Sequence, residues 1–336
     1  MTPRDRVLAA LHHEQPDETP YQIGFTQDAH ASMVRHTGDP NFEQILRNAL
    51  LYLNTELPDG WKEITPGIWR DEFGVQWNRT IDHDIGVVCN TCITPDNLSS
   101  FQFPNPSDPA RFNHYPQHLR QHPDLFSYAN IGFSLFERAW TLIGMENLLM
   151  AMVDQPDYVD ALLDRIVAHN LALVDGACAH PVDVIHFGDD WGQQNGLIMG
   201  PELWRRFIKP RFAAMCQRVR KHGKFVSLHS CGCVQSVFPD LIECGLHVFN
   251  PFQPEVMNPS EMKKRFGKHL TFYGGISTQK TLPYGTPEQT RQEVRRLIRE
   301  VGKDGGYIAA PAHCIPGDAK PENILAMIDE LNHQSR

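Results

Sequence analysis

The stretch Lys224-Phe225-Val226-Ser227-Leu228-His229-Ser230-Cys231-Gly232-Cys233 reads as a short strand that runs straight into a group of metal-ligating side chains. Residues two apart in a strand project to the same face. His229, Cys231 and Cys233 therefore converge near the strand's C-terminal end. One imidazole with one or two thiolates is the ligand chemistry of zinc. A second apolar run, Gly306-Tyr307-Ile308-Ala309-Ala310, is followed by Pro311-Ala312-His313-Cys314. Three ligands drawn from two strand ends leave a coordination position open, as in a catalytic metal site.

The flanking sequence repeats the same strand-then-helix unit. Strand-like runs at 182–187, 225–228, 247–250, 270–273 and 307–310 alternate with helical patterns near 201–221, 234–243, 260–266, 287–301 and 321–332. Such alternation implies parallel βαβ units. Thr286-Pro287-Glu288 gives one helix an N-cap hydroxyl, a first-turn proline and a first-turn acid. The first half is less regular. Residues 19–25 are expected to form the first strand, 41–53 a helix, 125–131 a strand, and 136–153 and 156–179 two helices. Residues 61–90, rich in aromatic and β-branched side chains, read as a small antiparallel excursion. Residues 101–123 read as a surface loop with one helix. Seven or eight strands favour an α/β fold of the (β/α)8 TIM-barrel type over an open sheet. No linker is evident, so residues 1–336 are expected to form a single domain.

Composition narrows the function. A net charge of −9 argues against nucleic acid or an anionic membrane surface as partner. The N-terminal Met1-Thr2-Pro3-Arg4 lacks a signal-peptide core, and no stretch approaches a membrane span. The eight cysteines are dispersed, which reads as reduced thiols in a cytoplasmic enzyme. Asp189 and Asp190 follow the strand ending at Phe187, the catalytic side of a barrel, and are candidates for acid–base or orienting roles. Gln193, Asn250, Gln253 and Gly275 follow strands at the same face and are candidate substrate-pocket residues.

Taken in order, several motifs resemble the uroporphyrinogen decarboxylase superfamily. They are Arg6-Val7-Leu8-Ala9-Ala10-Leu11, Asp71-Glu72-Phe73-Gly74-Val75, Gly188-Asp189-Asp190-Trp191-Gly192, Leu228-His229-Ser230-Cys231-Gly232, Asn250-Pro251-Phe252-Gln253, Gly274-Gly275-Ile276 and Pro321-Glu322-Asn323-Ile324. The resemblance implies a (β/α)8 barrel and either of two chemistries: cofactor-free decarboxylation, or zinc-dependent methyl transfer involving corrinoid proteins. The decarboxylases carry an arginine-rich loop after the first strand to hold the substrate's carboxylates. Here that stretch is Gly24-Phe25-Thr26-Gln27-Asp28-Ala29-His30, without arginine, and carboxylate clusters need cations to bind. The zinc members carry His-x-Cys at one strand end and a Cys after the last strand. His229 and Cys231 match the first part, and Cys314 is preferred for the second, with His313 and Cys233 as alternatives. The expected activity is therefore zinc-dependent methyl transfer between a small methoxy compound or thiol and a corrinoid. No corrinoid-binding module is recognisable in the chain, so the corrinoid is expected on a separate partner protein. The alternative is a metal-independent decarboxylase.

Overall fold

The computed structural model describes residues 1–334. Seven strands form one parallel sheet: β1 (Leu50–Asn54), β2 (Phe126–Ile131), β3 (Val184–Gly188), β4 (Phe225–His229), β5 (Val248–Phe252), β6 (Thr271–Ile276) and β7 (Tyr307–Pro311). They lie side by side in chain order, and every pairing between neighbours is parallel. From β2 onward each crossover carries at least one helix, from Pro156–Cys178 ahead of β3 to Pro287–Glu300 ahead of β7, and Pro321–Asn332 follows the last strand. The helix at 287 starts on Thr286 as its residue types predict, with a full capping box to Gln289. No helix among the described residues is long and apolar enough to cross a membrane.

The period-two alternation of the strands separates two cores. Ile185, Val226, Leu228, Phe249 and Phe272 join the layer beneath the helices. Leu50, Val184, Val248, Tyr273, Ile308 and Ala310 belong to a second, inner cluster. Climbing each strand toward its C-terminal end, the inner face changes from apolar to polar: Val184 gives way to His186, Phe225 to Ser227 and His229, and Val248 to Asn250. That gradient places the chemistry at the C-terminal face.

Residues 61–90 do form an antiparallel sheet, with strands Lys62–Thr65, Ile68–Arg70, Gln76–Asn78 and Val87–Val88. Other expectations need correction. The helix expected over 41–53 is a single 3-10 turn, Phe42–Ile45, followed by β1. Its apolar spacing fits a helix, but tertiary pairing wins: the Asn48 carboxamide bonds both the N–H and the C=O of Ile23 at 2.9 and 3.0 Å. The same contacts explain why residues 19–25 do not make a full strand. The segment keeps isolated bridges, Tyr21 to Ala309 and Phe25 to Ile315. Toward β1 it is held largely by side chains, including Gln22 Oε1, which accepts from Leu50 N–H at 3.1 Å. Gly144, at φ +92°, divides the helix expected over 136–153 into Phe136–Ile143 and Met145–Asp154.

Candidate metal centre

β4 delivers His229 at its last position, and Cys231 follows two residues later. β7 ends at Pro311, after which the chain bends between two anchors. Ala312 N–H donates to Ile276 C=O at 2.8 Å, and Ile315 N–H donates to Gly24 C=O at 2.9 Å. This bend turns the His313 ring toward His229, with ring centroids 5.6 Å apart. The ligand atoms of His229, Cys231 and His313 all lie within 4.8 Å of one another, and this is the one such trio among the described residues. The third member is thus His313, not Cys314. A Cβ built on Gly24 would stand 3.5 Å from the Cys314 thiol, so that thiol lies beside Gly24 in the cavity lining and outside the trio. Cys233 is outside the trio too; its N–H donates to Gln193 C=O at 2.8 Å.

The donor set fits a zinc ion. Asn250 Nδ2 donates to Tyr273 C=O at 3.1 Å, which turns its Oδ1 toward the His229 ring. His229 Nδ1–H donates to that oxygen at 2.6 Å. The proton is thereby fixed on Nδ1, and the Nε2 lone pair faces Cys231 Sγ at 3.4 Å. A tetrahedron with Zn–S near 2.3 Å and Zn–N near 2.0–2.1 Å has an S–N edge of about 3.5 Å. Orientation of a ligating imidazole through its other nitrogen is a recurrent feature of metal sites. Asn250, expected in the substrate pocket, therefore also serves the histidine.

Acids surround the thiol. Asp190 Oδ1 accepts from Cys231 N–H at 2.8 Å and lies 3.7 Å from His229 Nε2. Burial, then the carboxylates of Asp190 and Glu137, push the Cys231 thiol pKa well up. Burial, then Asp190 and Asp189, raise Glu137 well above the carboxyl range. Burial, then His229, lowers His313. A half-buried thiol beside two acids is a poor free nucleophile and a good ligand for a cation, whose charge reverses these shifts.

Asp189 has a different task from the acid–base role expected of it. It is fully buried and accepts from the backbone N–H groups of Leu135, Phe136 and Glu137 at 3.0, 3.1 and 2.8 Å. Trp191 Nε1 donates to it as well. Burial raises its pKa to about 6 while these bonds oppose the rise, and four N–H donors match a carboxylate that only accepts. It anchors the start of the helix Phe136–Ile143 and does not reach the pocket. Gln253 is buried, and its Oε1 accepts from Gly232 N–H at 3.2 Å, which supports the ligand loop. Gln193 is exposed in a small hairpin with Gly196–Leu197. A Cβ on Gly275 (φ +100°) would meet Leu297 and the Tyr307 hydroxyl, so this position faces the helix layer rather than a substrate.

Two glycines let the loops approach. A Cβ on Gly232 (φ +82°) would stand 2.3 Å from the Gly192 carbonyl carbon, and one on Gly192 would stand 2.5 Å from Cys231 O. Gly232→Ala is therefore expected to destabilise the fold by about 1–3 kcal/mol and to displace Cys231. Thermal melting with metal analysis of the same variant checks both.

Beneath the trio lies a cavity of about 320 Å³, lined by Gln22, Gly24, Tyr52, His186, His229, Asn250, Tyr273, Ala310, Pro311, His313 and Cys314. Its lining contains no Arg or Lys. The sequence reading passed over Tyr52, Tyr273 and His186; inward parity on β6 and β3 is the signal that finds Tyr273 and His186, whereas Tyr52 lies in a segment read as a helix. Burial, then His229, lowers His186 to about 3, so its ring is neutral.

The sequence profile for uroporphyrinogen decarboxylase (URO-D) matches residues 131–334, more than half of the chain. The chain belongs to the uroporphyrinogen decarboxylase family. Uroporphyrinogen decarboxylase from Danio rerio is 28% identical over 182 residues, which cover 52% of this chain and 46% of that protein. The Pseudoalteromonas translucida enzyme is 30% identical over 79 residues, 24% of this chain and 22% of its own. The chain thus spans less than half the length of these relatives. A methyltransferase from Methanosarcina mazei superposes with a TM-score of 0.73 at 18% identity, over 99% of this chain and 98% of that one. At that identity the likeness speaks to the fold: this family member shares its α/β architecture with a methyltransferase along almost its whole length.

Proposed function

We propose that this family member is a zinc-dependent methyltransferase. It would move a methyl group between a small methoxy compound or thiol and a corrinoid carried by a partner protein in the cytoplasm. The observation that carries the reading is the convergence of His229, Cys231 and His313 within 4.8 Å above a cavity without cationic side chains. Decarboxylation of a polycarboxylated tetrapyrrole would require cations at that position. The same reading takes the fold as a closed (β/α)8 barrel, with residues 20–25 in the eighth place.

His229, Cys231 and His313 would hold zinc and leave one position open toward the cavity. Bound zinc would supply Lewis acidity, lowering the pKa of a thiol or polarising an ether oxygen. Asn250 keeps the His229 proton on Nδ1. Asp190, beside Nε2, is the polar group placed to orient a reacting hydroxyl or thiol. Asp189 positions the helix that carries Glu137.

Zinc-loaded protein is expected to convert methylcobalamin and a small thiol to the thioether and cob(I)alamin, or guaiacol and cob(I)alamin to catechol and methylcobalamin. Corrinoid absorbance follows either direction. Absence of both reactions from protein verified to hold zinc, with carbon dioxide released from a carboxylated substrate by metal-free protein, would replace this reading with the decarboxylase one.

A further inference from the structure

The floor of the cavity carries a second set of polar groups, one layer deeper than the trio. On β3, His186 pairs in register with Ser227 of β4, two residues before His229. Ser227 Oγ stands 2.8 Å from His186 Nδ1, which leaves Nε2 as the nitrogen for a ligand. The hydroxyls of Tyr52 and Tyr273 are 3.1 Å apart and bonded to each other. In such a pair one phenol donates to the other, and the accepting phenol keeps its own proton to give away. Tyr52 is 41% exposed although it lies on an inner strand face, so its open surface belongs to the cavity. Its ring stands edge-on to that of His186, with centroids 6.0 Å apart.

We propose that Tyr52, Tyr273 and His186 form a recognition site for an uncharged, single-ring substrate bearing an ether or hydroxyl oxygen, and that this cavity discriminates against carboxylated analogues. Aromatic walls suit a flat ring, and about 320 Å³ is the small end of ligand pockets. The free phenolic proton meets an oxygen acceptor, and the imidazole meets a hydroxyl or ether. Apart from an ion held by the trio, an anion would find no cation in this lining, which has no Arg or Lys, and it would face the Asp190 carboxylate beside His229. Leaving a carboxylate buried and unpaired is costly. The inference rests on the methyltransferase reading only in taking this cavity as the substrate site.

Isothermal titration with guaiacol and with vanillate, which carries the same methoxyphenol plus a carboxylate, separates the possibilities. Guaiacol is expected to bind at least tenfold more tightly than vanillate. Tyr52→Phe and Tyr273→Phe, which keep the ring and lose the hydroxyl, should each weaken guaiacol about fivefold to tenfold. His186→Leu should do the same, and thermal melting establishes that each variant is folded. Vanillate binding as tightly as guaiacol, guaiacol failing to bind, or guaiacol indifferent to both phenylalanine variants would overturn the proposal. Zinc content measured on the same samples keeps the two readings apart. Guaiacol bound by protein unable to take up zinc would sink the metal mechanism alone, and zinc bound without guaiacol would sink the substrate assignment alone.

Discussion

Cys231→Ser is expected to leave a folded protein almost free of zinc, where the unaltered chain holds about one ion per molecule after purification without a histidine tag. Inductively coupled plasma mass spectrometry reads both. The loss should exceed the roughly 10–100-fold fall in affinity that follows removal of a ligand's hydrogen-bond partner, which is the size expected for Asn250→Ala. The geometry separates two neighbouring residues with the same measurement. His313→Ala should lose the ion because its ring belongs to the trio, whereas Cys314→Ala should keep it. Proton release offers an independent check. The Cys231 thiol is held protonated by burial and by the carboxylates of Asp190 and Glu137, while His313 is held neutral by burial. Loading zinc at neutral pH should therefore free about one proton per ion, and affinity should fall as pH falls. Calorimetry in buffers of different ionisation enthalpy counts that proton. A zinc-free native protein, or retention of zinc in Cys231→Ser, would end the metal mechanism.

The parallel sheet was legible because each strand is a short apolar run followed by a helix with its own start signal, as at Thr286. The first strand was not, because residues 19–25 and 41–53 hold each other through Gln22 and Asn48 side chains, a long-range pairing that local propensity does not report. His229 and Cys231 followed from period two alone. The third ligand did not. Alignment to the family's motif falls on His313, and the stronger zinc affinity of thiolate favoured Cys314 one place later, but the bend anchored at Ala312 and Ile315 brings the His313 ring to the trio. Position at a strand's C-terminal end likewise marked Asp189 and Asp190 alike, and only burial tells them apart. Tyr273 was hidden because a tyrosine in a strand reads first as core packing, and Tyr52 because its segment reads as a helix rather than the strand it forms; both line the floor of the cavity.

Asp189→Ala is expected to be among the most destabilising single substitutions in the chain while sparing the ligands themselves. The carboxylate takes backbone N–H bonds from Leu135, Phe136 and Glu137 and the indole N–H of Trp191, all in a fully buried setting. Alanine strands these donors, at about 1–3 kcal/mol for each buried group left unpaired. Partial relaxation of the helix start toward other acceptors limits the total to roughly 3–5 kcal/mol. In a domain of this size that lowers the melting temperature by roughly 4–7 °C. Asp189→Asn offers one accepting oxygen instead of two and should fall between. Asp190→Asn should behave in the reverse sense. Its side chain is 37% exposed and stands 3.7 Å from His229 Nε2, so the melting temperature should hold while metal affinity or turnover drops. If Asp189→Asn instead abolished turnover with no change in melting, the carboxylate would be acting on substrate, and the anchoring role assigned to it would be wrong. The paired melts and activities of the two adjacent variants therefore decide which of Asp189 and Asp190 serves the fold and which serves the reaction.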